Sequence, residues 1–258
     1  MSAHDFANRI RSREKLIGYW VVMDAPVATE RIARLGYDYV VLDGQHGLLG
    51  YQGLLHGLLA VDAGAALGGS GSVGLVRVEA NHPTPIGRAL DAGALGVIVP
   101  LVDSSDDVTR AVRAAKYPPA GVRSYGPMRS ALRVGPVPAD ADAATVVLAM
   151  IETPLGLKNV AEICATPGLD GVYVGPSDLG LSVGARFPGD PEVEGPFEEA
   201  VELIARTARD AGIAAGIHTS DGDTAQRRLG QGYTFATVAS DLTHLEDAAA
   251  AHLKAARS

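Results

Sequence analysis

Cysteine is almost absent: Cys164 is the only one among 258 residues. No disulfide can form within the chain, and a cysteine-built zinc site is not expected. The setting Glu162-Ile163-Cys164-Ala165 reads as a helix flank, where a thiol serves as a small buried hydrophobe. Lysine is nearly as scarce, with only Lys15, Lys116, Lys158 and Lys254. None stands at the C-terminal end of a strand candidate, so the desolvated amine of a Schiff-base mechanism is missing. A carbonyl substrate would then need a metal as its electrophile. The net charge is −8 without any basic run, which argues against a nucleic-acid partner. No apolar run reaches the roughly 20 residues of a bilayer span. The segment Met1 to Arg13 lacks the apolar stretch of a signal peptide. A soluble, cytoplasmic protein with no membrane contact is expected.

Familiar motifs are also missing. Gly69-Ser70-Gly71-Ser72-Val73-Gly74 fits the dinucleotide-binding spacing, but it follows a helix pattern and precedes a strand. The pyrophosphate of a dinucleotide needs the reverse order, with a helix N-terminus behind the loop. Gly175-Pro176-Ser177-Asp178-Leu179 lacks the closing glycine of a nucleophile elbow.

What the chain does have is apolar residues, at 47%, arranged in short runs. Strands are expected at Gly18–Met23, Tyr39–Leu42, Val73–Val78, Gly96–Pro100, Thr145–Ile151, Gly171–Val174, Ile213–Ile217 and Thr234–Val238. Most are apolar at every position, as strands covered on both faces are. Helical patterns alternate with them at Ala28–Leu35, Tyr51–Ala63, Pro85–Ala92, Ser105–Ala115, Pro154–Ala165, Phe197–Ala211, Thr224–Leu229 and Asp241–Ala256. Eight such units predict a (β/α)8 TIM barrel with a parallel sheet, as one domain over residues 1–258. A doubly wound open sheet is the structural alternative. An extra N-terminal helix, Asp5–Lys15, is expected on the barrel floor. The 117–142 and 182–196 segments read as long loops, and Gly64–Gly74 as a flexible connection.

Catalytic groups of such barrels stand at the C-terminal strand ends. There the sequence places Asp43, Gln45 and His46, then Arg77, Glu152 and Asp178; Trp20, within the first strand, and Tyr125, in the first long loop, are further candidates. Glu152 ends an apolar run, where a carboxylate is costly unless paired or bound to a cation. With Asp178 beyond the next strand, two carboxylates and open positions suit Mg²⁺ or Mn²⁺, with Co²⁺ and Zn²⁺ as further candidates. Both acids could instead cap the following helices. His46 reads equally as a general base or a satisfied histidine, and Arg77 as a substrate ligand or an ion-pair partner of Asp43 or Glu79. Asp91 ends a helix, where a cap or surface role is the default. His218 has no partner pattern but could line the mouth.

Six segments, in order, resemble the HpcH/HpaI family of class II pyruvate aldolases: Tyr39–His46, Val76–Val78, Leu90–Gly93, Tyr117–Arg123, Ile151–Thr153 and Gly171–Leu179. The resemblance covers nearly the whole chain. It implies Glu152 and Asp178 as metal ligands, Arg77 as the group facing the enolate oxygen, His46 as base and Asp91 as the residue that orients it. It further implies that the backbone around Gly175, Pro176 and Ser177 holds a substrate carboxylate, and that the chain assembles as a homohexamer, a trimer of dimers. Gln45, Ala80 and His82 depart from the family pattern, as does Ser124–Arg129. The implied activity is reversible cleavage of a 4-hydroxy-2-oxo acid to pyruvate, or a related 2-oxo acid, and an aldehyde. Oxaloacetate decarboxylation or acyl-CoA lysis on the same metal site is the enzymatic alternative, and a non-catalytic binding barrel the other class.

Overall fold

The structure is a computed structural model that describes residues 3–258. Its strands are β1 (Leu16–Val21), β2 (Tyr39–Asp43), β3 (Val73–Arg77), β4 (Gly96–Val99), β5 (Val146–Ile151), β6 (Gly171–Val174), β7 (Ala214–Thr219) and β8 (Phe235–Ser240). Each pairs in parallel with its neighbours in sequence, and β1 pairs with β8, so the sheet closes into an eight-stranded barrel. The open-sheet alternative is thereby excluded.

Around the strands lie α1 (Ala3–Arg11), α2 (Pro26–Ala33), α3 (Tyr51–Gly68), α4 (Pro83–Asp91), α5 (Ser105–Ala115), α6 (Ser130–Val134) and α7 (Pro138–Ala144). They are followed by α8 (Pro154–Lys158), α9 (Val160–Cys164), α10 (Pro176–Ser182), α11 (Glu194–Ala211), α12 (Gly222–Gly230) and α13 (Asp241–Arg257). Among the described residues, no helix is long and apolar enough to cross a membrane.

The apolar runs are explained by burial on both faces. In β5, Val146, Leu148 and Met150 join the core inside the barrel, while Val147, Ala149 and Ile151 join the layer beneath the helices. This alternation is the strand period of two, hidden because both environments are apolar. Helix α1 closes the floor: Phe6 and Ile10 are fully buried there, and the Phe6 ring lies 6.2 Å from that of Tyr39. Tyr39, Tyr173 and Phe235 fill the interior, and both phenol groups share the Thr237 hydroxyl, at 3.1 and 2.6 Å.

Several helical expectations are corrected. Gly64–Gly74 is not a flexible connection: α3 continues to Gly68 and ends on left-handed Gly69, φ 61°. The glycines serve close packing, since a Cβ on Gly64 would stand 2.1 Å from the Glu30 carbonyl oxygen of α2. The Pro154–Ala165 helix breaks at Asn159, whose side-chain amide leaves the helical pattern to donate to the Asp103 carbonyl at 2.8 Å. The first long loop contains α6 and α7, and the second contains a 3-10 turn at Pro191–Val193. The short helix α10 has no counterpart in the periodicity, because its seven residues are too few to show one.

Gly18 and Gly216 make room for the interior rings of Tyr39 and Phe235. A Cβ on Gly216 would lie 2.1 Å from the Phe235 ring, which Tyr39 and Tyr173 hold on two sides. Gly216→Val should therefore lower the unfolding free energy by about 1–3 kcal/mol, the usual cost of overpacking. An unchanged urea midpoint would contradict the role given to this glycine.

Candidate active site

The barrel mouth gathers polar groups that an apolar sheet must compensate. At the end of β2, Asp43 is 1% exposed and accepts five hydrogen bonds. Arg77, at the end of β3, donates two of them, from Nε at 2.9 Å and Nη2 at 2.5 Å. The Trp20 indole N–H supplies another at 3.3 Å, and the amides of Gln45 and His46 add two at 3.0 and 3.1 Å. Burial alone pushes the Asp43 carboxyl up, but the Arg77 bonds and charge and the two amides outweigh it, so its pKa falls below the usual range. The third Arg77 nitrogen, Nη1, has no partner among the described residues, so one edge of the guanidinium is available at the mouth. The guanidinium lies 5.0 Å from the centre of the Trp20 ring, a cation–π contact. Trp20 in turn stacks on Tyr173 at 5.8 Å and meets the edge of His218 at 5.4 Å.

Glu152 follows β5 and is 1% exposed. Its Oε1 accepts from the Leu101 amide at 2.9 Å, whereas its buried Oε2 has no partner. Leu101 adopts the left-handed region, φ 53°, just beyond β4. That conformation, costly for a side chain bearing a Cβ, aims its amide at the carboxylate. Gly175 makes the approach possible from the other side: a Cβ there would lie 2.6 Å from Glu152 Oε2. Burial raises the Glu152 pKa, and the charge of Asp178 raises it further, against the Leu101 bond and the Arg77 charge. Asp178 is half-buried in the first turn of α10. Two neighbouring carboxylates with an uncompensated buried oxygen form a donor set that a divalent cation would satisfy. Among the described residues, no group of three or more His, Cys, Asp or Glu could hold a metal. The pair therefore suits a hard ion that keeps positions for water and substrate.

The other expected residues are distributed differently. His46 is exposed and joins the site through its backbone; its ring makes no hydrogen bond among the described residues. Asp91 is not brought to it. The Asp91 carboxylate instead accepts from Arg123 at 2.7 Å, because the segment after Tyr117 folds back over the end of α4. Tyr125 belongs to that segment, with its ring 5.6 Å from Tyr117 and its hydroxyl on the Pro136 carbonyl at 3.0 Å. Gln45 buries an unpartnered Oε1. Pro176 and Ser177 open α10 and border a cavity with His218. Leu101 gave no signal in the sequence, since nothing marks a leucine for φ > 0. His218 is half-buried with an enclosed, unpartnered Nδ1, and its pKa falls to about 4 through burial and the Arg77 charge.

The chain has relatives throughout its length. It is 37% identical over 248 residues to the hydroxypyruvate/pyruvate aldolase of Rhizorhabdus wittichii, covering 94% of this chain and 96% of that protein. It is 34% identical over 241 residues to the 5-keto-4-deoxy-D-glucarate aldolase of Salmonella paratyphi C, covering 92% and 90%. Kinship of this extent makes it a carbon–carbon lyase of the aldolase class. Among solved structures, an HpcH/HpaI aldolase/citrate lyase family protein from Burkholderia cenocepacia superposes with a TM-score of 0.90 at 31% identity, over 99% of this chain and all of that one. The protein CitE of Mycobacterium tuberculosis, solved with magnesium and acetoacetate, shares the fold alone, at 18% identity and a TM-score of 0.57 over 89% and 87%. The model of the HpcH/HpaI aldolase/citrate lyase family matches residues 16–248, and the chain belongs to that family.

The His218 environment has a measurable consequence. Its folded-state value of about 4 lies below the ordinary 6.5, so the unfolded chain takes up this proton first as pH falls. The contribution to stability is complete above pH 6.5 and declines as pH drops toward 4. Histidine NMR titration should show one ring neutral through pH 5, absent in His218→Leu. A normal midpoint for all seven histidines would contradict this burial.

Proposed function

We propose that the protein is a divalent-metal-dependent aldolase that reversibly cleaves a 4-hydroxy-2-oxo acid into pyruvate, or a related 2-oxo acid, and an aldehyde. The observation that carries this is the buried, unpartnered Oε2 of Glu152, whose carboxylate feels the charges of both Asp178 and Arg77. Glu152 and Asp178 would hold Mg²⁺ or Mn²⁺. When bound, the ion supplies Lewis-acid polarisation of the 2-oxo carbonyl.

The chain's own groups do the rest. The first-turn amides at Ser177 and Asp178 have no acceptor within α10 and suit the substrate carboxylate. Arg77 Nη1 donates to the carbonyl oxygen and gains strength as charge develops there. Asp43 fixes the guanidinium plane, so little reorganisation accompanies that change. A base takes the C4 hydroxyl proton, and the electrons of the C3–C4 bond pass into the enolate as the aldehyde leaves. His46 is the candidate base: it is exposed at the mouth and its ring is free to turn. Protonation of the enolate at C3 releases the 2-oxo acid. Condensation reverses these steps.

The expected assembly is a cytoplasmic homo-oligomer, a hexamer in the family pattern. Its support is α13, which buries only Asp241 and leaves Leu245 and Leu253 exposed.

Arg77→Ala should lower the turnover number by about 10²-fold or more, as loss of an oxyanion donor does. Near wild-type turnover would remove Arg77 from the mechanism. Exhaustive chelation should abolish pyruvate methyl-proton exchange in heavy water, and Mg²⁺ or Mn²⁺ should restore it. Exchange that survives chelation would refute the metal dependence.

A further inference from the structure

A cavity of about 550 Å³ opens between α10, the 183–197 segment and the end of β7, with Pro176 and Ser177, which precede Asp178 in the chain, in its lining. Ser177 and His218 form its inner wall. The His218 ring meets Trp20, over which Arg77 lies, so the cavity adjoins the groups assigned to the 2-oxo acid. Such a volume is in the range of small-molecule sites.

The polar groups of the cavity are unevenly matched. Thr219, Ser220 and Thr224 bring hydroxyls that already donate to Asp221 or Thr237 and so are left to accept, and His218 brings an imidazole whose Nδ1 is enclosed without a partner. The only cationic side chain in the lining is Arg228, and its charge is spent. Its two terminal nitrogens bind Glu198 at 2.5 and 2.7 Å, and Gln231 takes a further bond at 3.0 Å. Asp190 is likewise engaged by Arg186, at 2.8 and 3.1 Å, while exposed Glu194 adds a negative charge at the rim. An aldehyde bearing a distal carboxylate would lose water here and find no free cation. A hydroxylated, uncharged aldehyde would find hydroxyl oxygens able to accept and an imidazole that stays neutral above pH 5.

We propose that this cavity is the aldehyde subsite, that it selects an uncharged, hydroxylated aldehyde, and that His218 is its hydrogen-bonding anchor. The proposal rests on the aldolase function of the Glu152, Asp178 and Arg77 site. The test is aldol addition to pyruvate by the metal-loaded protein, with glycolaldehyde and glyceraldehyde compared against glyoxylate and succinic semialdehyde, and acetaldehyde as the partner without a hydroxyl. The hydroxylated neutral aldehydes should exceed the carboxylated ones by about tenfold or more in kcat/KM, as an unpaired buried charge dictates. His218→Leu should lower the glycolaldehyde-to-acetaldehyde ratio of kcat/KM by about tenfold, the scale of one lost hydrogen bond. Glu198→Gln should release Arg228 and raise use of succinic semialdehyde by about fivefold or more. Preference for carboxylated aldehydes, or ratios unmoved by both variants, would overturn the subsite. Pyruvate proton exchange on the same preparations separates the two levels. Exchange with the wrong aldehyde preference defeats the subsite alone; no exchange in the wild type defeats the aldolase function and the subsite with it.

Discussion

The Asp43–Arg77 pair is the interaction on which the mouth of the barrel depends. A guanidinium at the end of an apolar strand is costly unless a carboxylate compensates it, and a lone Asp43 would be costly in turn. Their two parallel hydrogen bonds join neighbouring strands and fix the guanidinium plane. The remaining acceptor capacity of Asp43 goes to Trp20 and to the amides of Gln45 and His46. One buried carboxylate therefore sets the direction of Arg77, the tilt of the indole and the course of the chain after β2.

Beneath this layer the interior supplies rigidity of a different kind. Trp20 rests on Tyr173, whose hydroxyl shares Thr237 with Tyr39, and α1 closes the floor under Tyr39. Each aromatic polar atom has a partner, so the interior is packed without an orphaned phenol. The same is not true above it. Unpartnered buried atoms occur at Gln45, Glu152 and His218, at or near the mouth, and also at Ser72, Asn81, Tyr117, Arg123 and Ser130.

Much of this was legible in the sequence. The doubly buried strands appear as runs such as Val146–Ile151, and their alternation with helical patterns specifies the closed parallel sheet. Glu152 and Asp178 could be placed near each other because each follows one of two adjacent strands. What escaped depends on contacts distant in sequence. The continuation of α3 through Gly64 and Gly68 follows from its packing on α2, which local composition does not reveal. The left-handed Leu101 follows from closure of the barrel around Glu152. The pairing of Asp91 with Arg123 rather than His46 follows from the path of the 117–135 segment. Helix α10 was hidden by its brevity, and the enclosure of the His218 ring by its dependence on Trp20, far away in sequence.

Gly175 sets a limit on how such a site can diverge. Any side chain there would displace the Glu152 carboxylate or be displaced by it, since the space for a Cβ is already within 2.6 Å of Oε2. A Cβ at this position would crowd the carboxylate, whereas the 183–197 segment one helix away carries no such steric veto on its exposed side chains. Change can thus accumulate in that segment without touching the Glu152 carboxylate. The boundary between what can drift and what cannot runs along the seven residues of α10.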